Sequence, residues 1–449
     1  MRAQGRIGAR AQPSRIYLGT RRGARHRGHP PNPRNCRHQL DWGGKLTASM
    51  RICKIWDSEY PWDVRVEKVA RSLTDAGHKV HLVARNRDWR RERESLAEAE
   101  IHRLKPWRMV GKRLDTATMF PAFFNPRWIS AVMRTARANK VQMLLVRDLP
   151  LAPTAIWAAR RLHVPVVLDM AENYPAMMRG LWDAGVQRRT DFLVRNPRAA
   201  AAVERWVLER VDHVLVVVDE SRERLQQLGV PAERMTVVSN TPSISRLREV
   251  SPKLHNDGDQ LELIYLGLLE APRGIGVLID AVAMARRAGV RARLTVLGDG
   301  RERRNFEERA RRLGLDEETI RFRGRVPYSD ALQLLQTADV GVVPHTANES
   351  WNTTVPNKLF DYMAAGLAVL TSSAKPAARI VRETGAGVVF QDGAVADCAA
   401  AIGSLSRSAF RAGCGANGRH AVLSRFHWER DASEMLGALD RVVAGSSRI

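Results

Sequence analysis

From Met50 onward, short apolar runs alternate along the chain with longer stretches of helical period. Residues 51–56 predict a first strand. Over residues 64–76, Val66, Val69, Ala70 and Leu73 share one stripe, as an amphipathic helix requires. Gly77 follows, where a helix C-terminus favours glycine. Residues 79–84, 141–146, 164–168, 213–218 and 235–238 predict further strands with helical segments between them. A polar linker at 241–260 contains Pro242, Pro252 and Gly258. The pattern then restarts, with strands at 261–266, 292–297, 320–323, 340–343 and 368–370 and helices over 274–289 and 301–313. Repeated strand–helix–strand units are the mark of a parallel sheet with crossover helices. Two such runs predict an α/β chain of two Rossmann-like, doubly wound domains at 50–240 and 261–425, followed by a C-terminal helix at 426–449. Ligands bind beyond the carboxyl ends of the strands in such sheets, so two facing sheets place the site in the cleft between them.

Residues 86–130 break the alternation. They mix Arg and Lys with Trp89, Trp107, Phe120, Phe123, Phe124 and Trp128. One reading is a helix-loop region packed on the domain edge. The other is a patch that lies on an anionic membrane surface, where basic segments with interleaved aromatics are stable.

Charge sharpens this picture. The 449 residues carry a formal +24, of which residues 1–49 contribute +10 through ten Arg and one Lys against one Asp. That segment has no apolar periodicity and reads as a disordered basic extension. The sudden onset of pattern reads as a true start of translation at Met50; the alternative is a basic arm for nucleic acid or membrane. The remaining +14 suits anionic substrates or lipid head groups. With no helix-turn-helix, zinc-finger or aromatic-rich RNA-binding signature, nucleic acid is not an expected partner. Cys36, Cys53, Cys398 and Cys414 form no CxxC pair, which argues against a zinc site or a disulfide framework. No apolar run approaches the roughly 18 residues of a membrane span. The expected location is the cytoplasm, peripheral on the inner face of the cell membrane.

The segment richest in chemistry is residues 355–366. Pro356 suits the first position of a helix, whose free N–H groups then favour an anion. Lys358 adds a positive side chain at that end, and Asp361, one turn on, is placed to accept from a diol. An anion site beside a diol acceptor fits a ribose-diphosphate; an ordinary capped helix is the alternative.

Pro356-Asn-Lys-Leu-Phe-Asp-Tyr-Met-Ala-Ala-Gly366 resembles the donor-binding helix of the retaining glycosyltransferases of family 4, which have the GT-B fold. Other segments match that family in order: Leu263-Ile-Tyr-Leu-Gly267 with the loop to Gly274, Val296-Leu-Gly-Asp-Gly300, Arg323-Gly-Arg-Val-Pro-Tyr328, and Ala338 to Pro344. In the first half, residues 65–80, 168–175 and 237–240 also resemble it. The resemblance implies transfer of a sugar from a nucleoside diphosphate donor to a cell-envelope glycan or lipid-linked acceptor. The donor is a co-substrate, and neither a cofactor nor a metal is expected. It implies that Arg273 and Lys358 hold the diphosphate and stabilise the leaving group. Asp361 would bind the ribose. Gly267, Gly298 and Gly300 would let the backbone approach the nucleotide, unless they serve only tight turns. Val326, His345, Thr353, Asn357 and Leu359 complete the expected donor site.

This sequence departs from the family at three places. Where the family pairs two Glu eight positions apart, Thr353 and Asp361 stand here, so Glu349 or Asn352 would have to serve the donor sugar. Leu268 follows Gly267 where the family often has Arg. Arg147, with Asp148 beside it, stands where the family has His near a strand end. Asp148 is therefore the candidate catalytic carboxylate, its alternative role being to cap the helix near Pro150. Arg65, Arg147 and Glu172 are the candidate acceptor-binding residues. The rival readings are a GT-B epimerase and a non-catalytic sugar-nucleotide-binding protein.

Overall fold

The computed structural model describes residues 49–61, 63–120, 123–183, 196–249 and 260–446. The basic extension up to residue 48, linker residues 250–259 and the tail 447–449 lie outside the described residues. In the first half the strands are β1 (Arg51–Trp56), β2 (Lys79–Ala84), β3 (Arg93–Ser95), β4 (Glu100–Arg103), β5 (Met143–Arg147), β6 (Val166–Met170), β7 (His213–Val216) and β8 (Met235–Val237). They form one sheet in the order β3-β4-β2-β1-β5-β6-β7-β8, parallel except for the β3–β4 pair. The second half holds β9 (Leu261–Leu266), β10 (Ala292–Leu297), β11 (Ile320–Gly324), β12 (Val340–Val343), β13 (Ala368–Ser372) and β14 (Gly387–Phe390), all parallel, in the order β11-β10-β9-β12-β13-β14.

Two doubly wound sheets are thus present, and β1, β2, β9, β10 and β12 have the bounds that the apolar runs predict. These strands are covered on both faces, which makes their sequences nearly continuous apolar runs. Three strands were not predicted: β3, β4 and β14. β4 is only Glu-Ile-His-Arg, with Ile101 buried and Glu100 exposed, and its charges hide the pattern. The stretch 86–130 is therefore more than an edge decoration. It extends the sheet through β4, and Trp128, on the helix Pro126–Ala138, is fully buried in the core.

β5 and β6 run one or two residues past their apolar cores, because Arg147 and Asp169 lie opposite each other in register. Strand order reverses between β1 and β5 in the first sheet and between β9 and β12 in the second. Those switch points are where a crevice opens at the carboxyl ends. Arg147 and Asp148 stand at one of them, Gly267 and His345 at the other.

The C-terminal helix Trp428–Ser446 returns to the first half. Met435, Ala438 and Leu439 pack into the cluster of Ile52, Val66 and Val69. Each Met or Leu so buried contributes about 1.5–3 kcal/mol. Trp428 Nε1 donates to Ser72 Oγ at 2.8 Å, and its backbone N–H to the Pro242 carbonyl at 2.8 Å. The chain therefore crosses between the halves twice, near residues 240 and 427.

Candidate functional site

The helix that carries the predicted anion site is Lys358–Ala364, seven residues long. Pro356 lies ahead of it rather than at its first position, and Asn357 takes the cap. So short a helix has little macrodipole, and side chains must supply the positive field. Lys358 does so. It is buried, and among the described residues its Nζ has no hydrogen-bond partner. The ammonium lies 4.1 Å from the Tyr265 ring centroid and would be 2.7 Å from a Cβ at Gly267, where a φ of +145° calls for glycine. Burial first, and then Arg273, hold the Lys358 pKa well below its usual value.

Arg273 reaches the same place from the turn Ala271–Arg273 after β9. Its guanidinium lies 4.5 Å from the Trp351 ring centroid, and its Nη1 is 2.9 Å from His345 Nε2. A guanidinium only donates, so Nε2 must accept and Nδ1 carries the proton. Nδ1 itself is buried and unpartnered. Burial, then Lys358 and Arg273, keep His345 well below its usual pKa and hence neutral near pH 7. The site thus presents an ammonium, a guanidinium and an imidazole N–H. Such a preorganised group of donors is chemically able to hold an anion.

The glycines divide by role. A Cβ on Gly298 would meet the Gly267 carbonyl at 1.8 Å, and one on Gly300 the Leu269 carbonyl at 2.2 Å. These two let the β9 and β10 loops pack together, the tight-turn alternative, whereas Gly267 borders Lys358. Leu359 is fully buried in the core, so only its backbone can face a ligand. Val326 packs against that same core cluster. Asp361 is half-buried, three residues beyond Lys358.

Thr353 does not stand free. Its hydroxyl donates to the Glu349 carbonyl at 3.0 Å and accepts from Asn173 Nδ2 at 3.3 Å; its carbonyl accepts from Ser221 Oγ at 2.5 Å. The two substitutes are engaged as well. Glu349 pairs with Arg179, and Asn352 Oδ1 accepts from the Lys375 N–H at 3.0 Å. Thr353 is thus a bridge between the halves. Further bridges are Asn240 Nδ2 to Asn357 Oδ1 at 3.1 Å and Arg379 Nε to Glu220 Oε1 at 2.7 Å.

On the opposite wall, a charge hub centres on Asp169. Its Oδ1 accepts from Arg65 Nε and Nη2 at 2.9 and 2.7 Å, and its Oδ2 from Lys54 Nζ at 3.3 Å. Arg65 Nη1 donates to the Val238 carbonyl at 2.9 Å. Arg65, expected to meet an acceptor, is therefore corrected to an internal strut, with all three of its donor nitrogens engaged inside its own domain. Burial would raise Asp169, but Arg65, Lys54 and Arg147 outweigh it and hold the carboxyl well below its usual range. Arg147 lies 5.3 Å from the Trp56 ring centroid and 3.2 Å from Asp148 Oδ2.

Asp148 is buried at φ +59°, a backbone region that costs a non-glycine residue about 1–3 kcal/mol. It makes no helix-capping bond; its Oδ1 accepts from the Ala171 N–H at 2.9 Å and ties the β5 and β6 loops together. Glu172 follows in that loop. Burial, then the Asp148 carboxylate, push it up to about 7, while Arg147 and Arg273 pull it down. Glu172 therefore feels the charge of Arg273, which belongs to the other half. Lys54, Asp169, Tyr265 and Trp351 were missed. A lone charge inside an apolar strand was the available signal for the first two.

Residues 260–408 match the family "Glycosyl transferases group 1", and residues 63–241 match "Glycosyl transferase 4-like domain". A phosphatidyl-myo-inositol mannosyltransferase of Mycobacterium leprae is 27% identical over 246 residues, 54% of this chain and 62% of that protein. The chain spans less than two thirds of the length of such curated relatives. A sucrose-phosphate synthase from Thermosynechococcus elongatus has a similar structure, with a TM-score of 0.68, 17% identity and coverage of 88% of this chain and 100% of that one. HepE of Anabaena in complex with UDP has a TM-score of 0.63 at 16% identity, covering 87% of this chain and 100% of that one. These likenesses show the GT-B fold.

Proposed function

Since both halves of the chain belong to glycosyltransferase domain families, over residues 63–241 and 260–408, we propose that it transfers a sugar from a nucleoside diphosphate donor with retention at the anomeric carbon. The observation that carries this reading is the buried, unpartnered ammonium of Lys358 beside Arg273. Two adjacent cations, one of them with no hydrogen-bond partner among the described residues, suit a diphosphate, and they would stabilise the charge that develops as the glycosidic bond breaks. Asp361 would take the ribose, and the His345 Nδ1–H would donate to a phosphate or sugar oxygen. The similar fold of a protein solved with UDP supports this kind of donor.

The acceptor is a cell-envelope glycan or lipid-linked sugar at an anionic membrane surface. The relative named for phosphatidyl-myo-inositol supports a lipid-borne acceptor. No helix among the described residues is long and apolar enough to cross a membrane. The reaction would then take place beside the membrane on its cytoplasmic face. A second reading, a non-catalytic sugar-nucleotide binder, is favoured by the engagement of Thr353. A thermal-shift screen against nucleoside diphosphate sugars, followed by transfer or hydrolysis of the stabilising one, separates the two. No stabilisation by any of them would overturn both.

Glu172 is the freer of the two carboxylates on the first wall, since Asp148 is tied to Ala171. We predict that ionised Glu172 accepts from the acceptor hydroxyl. With its carboxyl at about 7, the acceptor KM should fall as pH rises through neutrality. Glu172→Gln should raise the KM about fivefold, the weight of one hydrogen bond, and remove the pH dependence. A Gln variant that keeps the slope would sink this assignment.

A further inference from the structure

Of the eleven large apolar side chains exposed among the described residues, six lie within residues 107–124. Met109 is completely exposed and Leu114 is 62% exposed. They sit on a projection that follows β4, made of the turn Arg108–Val110 and the helix Gly111–Ala117. The projection is built rather than frayed. Asp115, fully buried, accepts from Trp89 Nε1 at 2.9 Å and from the Trp107 N–H at 2.8 Å, and pairs with Arg127 Nη1 at 2.9 Å. Arg127 also lies 4.6 Å from the Trp107 ring centroid. Around the apolar tip stand Lys105, Arg108, Lys112 and Arg113, all exposed; Lys112 Nζ lies 3.3 Å from Asp88 Oδ1, an exposed pair that leaves the tip net positive. Asp115 is the only acid between residues 105 and 120, and it points inward.

Water is a poor solvent for such a tip, and a rigid apolar patch marks a surface that something covers. The ring of four cations decides what. A second copy would bring the same net positive charge to the same contact. Anionic head groups would neutralise it, at about 1 kcal/mol for each Lys or Arg near the surface.

We propose that residues 105–114 are the element that seats this protein on an anionic bilayer. Met109 and Leu114 enter the head-group and acyl boundary, Trp107 lies at the interface, and the four cations take lipid phosphates. The projection rises from the carboxyl-end side of the first sheet, after β4. Docking through it turns the cleft toward the lipid, and an acceptor hydroxyl can reach Glu172 from the membrane. The inference rests on the membrane-bound acceptor proposed above and not on the donor assignment.

The test is sedimentation of the full chain with vesicles of phosphatidylglycerol and phosphatidylcholine, and with vesicles of phosphatidylcholine alone. The unsubstituted protein should bind the mixed vesicles and leave them as salt rises. Met109→Asp with Leu114→Asp should weaken binding by about tenfold or more, since two apolar insertions are lost. Lys112→Ala with Arg113→Ala should weaken it and flatten its salt dependence. Nucleoside diphosphate affinity should stay unchanged in both variants; this shows that they fold and keeps a failure of the donor reading distinct. Three results would overturn the proposal: no binding by the unsubstituted protein, equal binding by the Asp variant, or a dimer in gel filtration that the Asp variant dissolves.

Discussion

Lys358→Ala is expected to weaken nucleoside diphosphate binding by about tenfold to a hundredfold, since a hydrogen bond to a charged group contributes about 1.5–3 kcal/mol. Binding of the bare nucleoside should change little, because only the diphosphate meets the ammonium. Asp361→Asn should weaken both ligands, the ribose being common to them. Proton linkage separates this from a general loss of structure. Burial and Arg273 depress the Lys358 pKa in the empty protein, and an arriving anion raises it again. At a pH above the depressed Lys358 pKa of the empty protein, the unsubstituted protein should therefore take up protons on binding and the Ala variant should not, which calorimetry in buffers of different ionisation enthalpy, repeated as pH rises, reads directly. The empty Ala variant should unfold no earlier than its parent, because burying the Lys358 amine without a hydrogen-bond partner costs stability in either protonation state. If the folded variant binds the diphosphate as tightly as its parent, the donor site lies elsewhere.

Asp169→Asn is expected to lower the unfolding free energy by about 3–5 kcal/mol, the cost of leaving buried charge uncompensated. Lys54 and Arg65 are both buried against this one carboxylate, and Arg147 lies 3.9 Å from it. Asparagine keeps the shape and loses the charge. Adding Lys54→Met should recover part of the loss, since one stranded cation is then gone; contacting residues couple in this way. The pH dependence has a definite sign. A carboxyl depressed in the fold stabilises it above the ordinary carboxyl pKa, and that stability is lost as pH falls toward the depressed value. The Asn variant should lack this acid-sensitive part. Denaturant titration across acid pH measures both effects. A loss under about 1 kcal/mol would show that the hub is not a charge balance.

Legibility followed burial. β1, β2 and β9 were readable because both faces of a central parallel strand are covered, so apolar residues run almost without a break. β3 and β4 lie at one edge of their sheet, where exposure permits charge and the period dissolves, whereas β14, at an edge of the other, is an apolar run of only four residues. Lys358, Arg273 and Asp361 could be nominated because they lie in short segments whose chemistry is local, and the fold brings Lys358 and Arg273 into each other's field. Thr353 was readable as a departure, but not as the bridge to Asn173, 180 positions away in the chain. Likewise nothing near Trp428 announced that its indole would reach Ser72.

The chain by itself determined the alternation of strands and helices, the restart after the linker, and the residue types offered to an anion. Each is set by neighbours in sequence, through the period of the backbone and the side chains a turn can hold. Tertiary structure decided which charges meet. Arg65 and Asp169 are 104 positions apart, and only the β1–β5–β6 order brings the strand ends together so that one carboxylate holds Arg65 and Lys54 and faces Arg147. It also decided which cation stays unpaired. Burial of Lys358 beside Tyr265 removes water without supplying a hydrogen-bond acceptor, which is the physical ground for proposing an anion there.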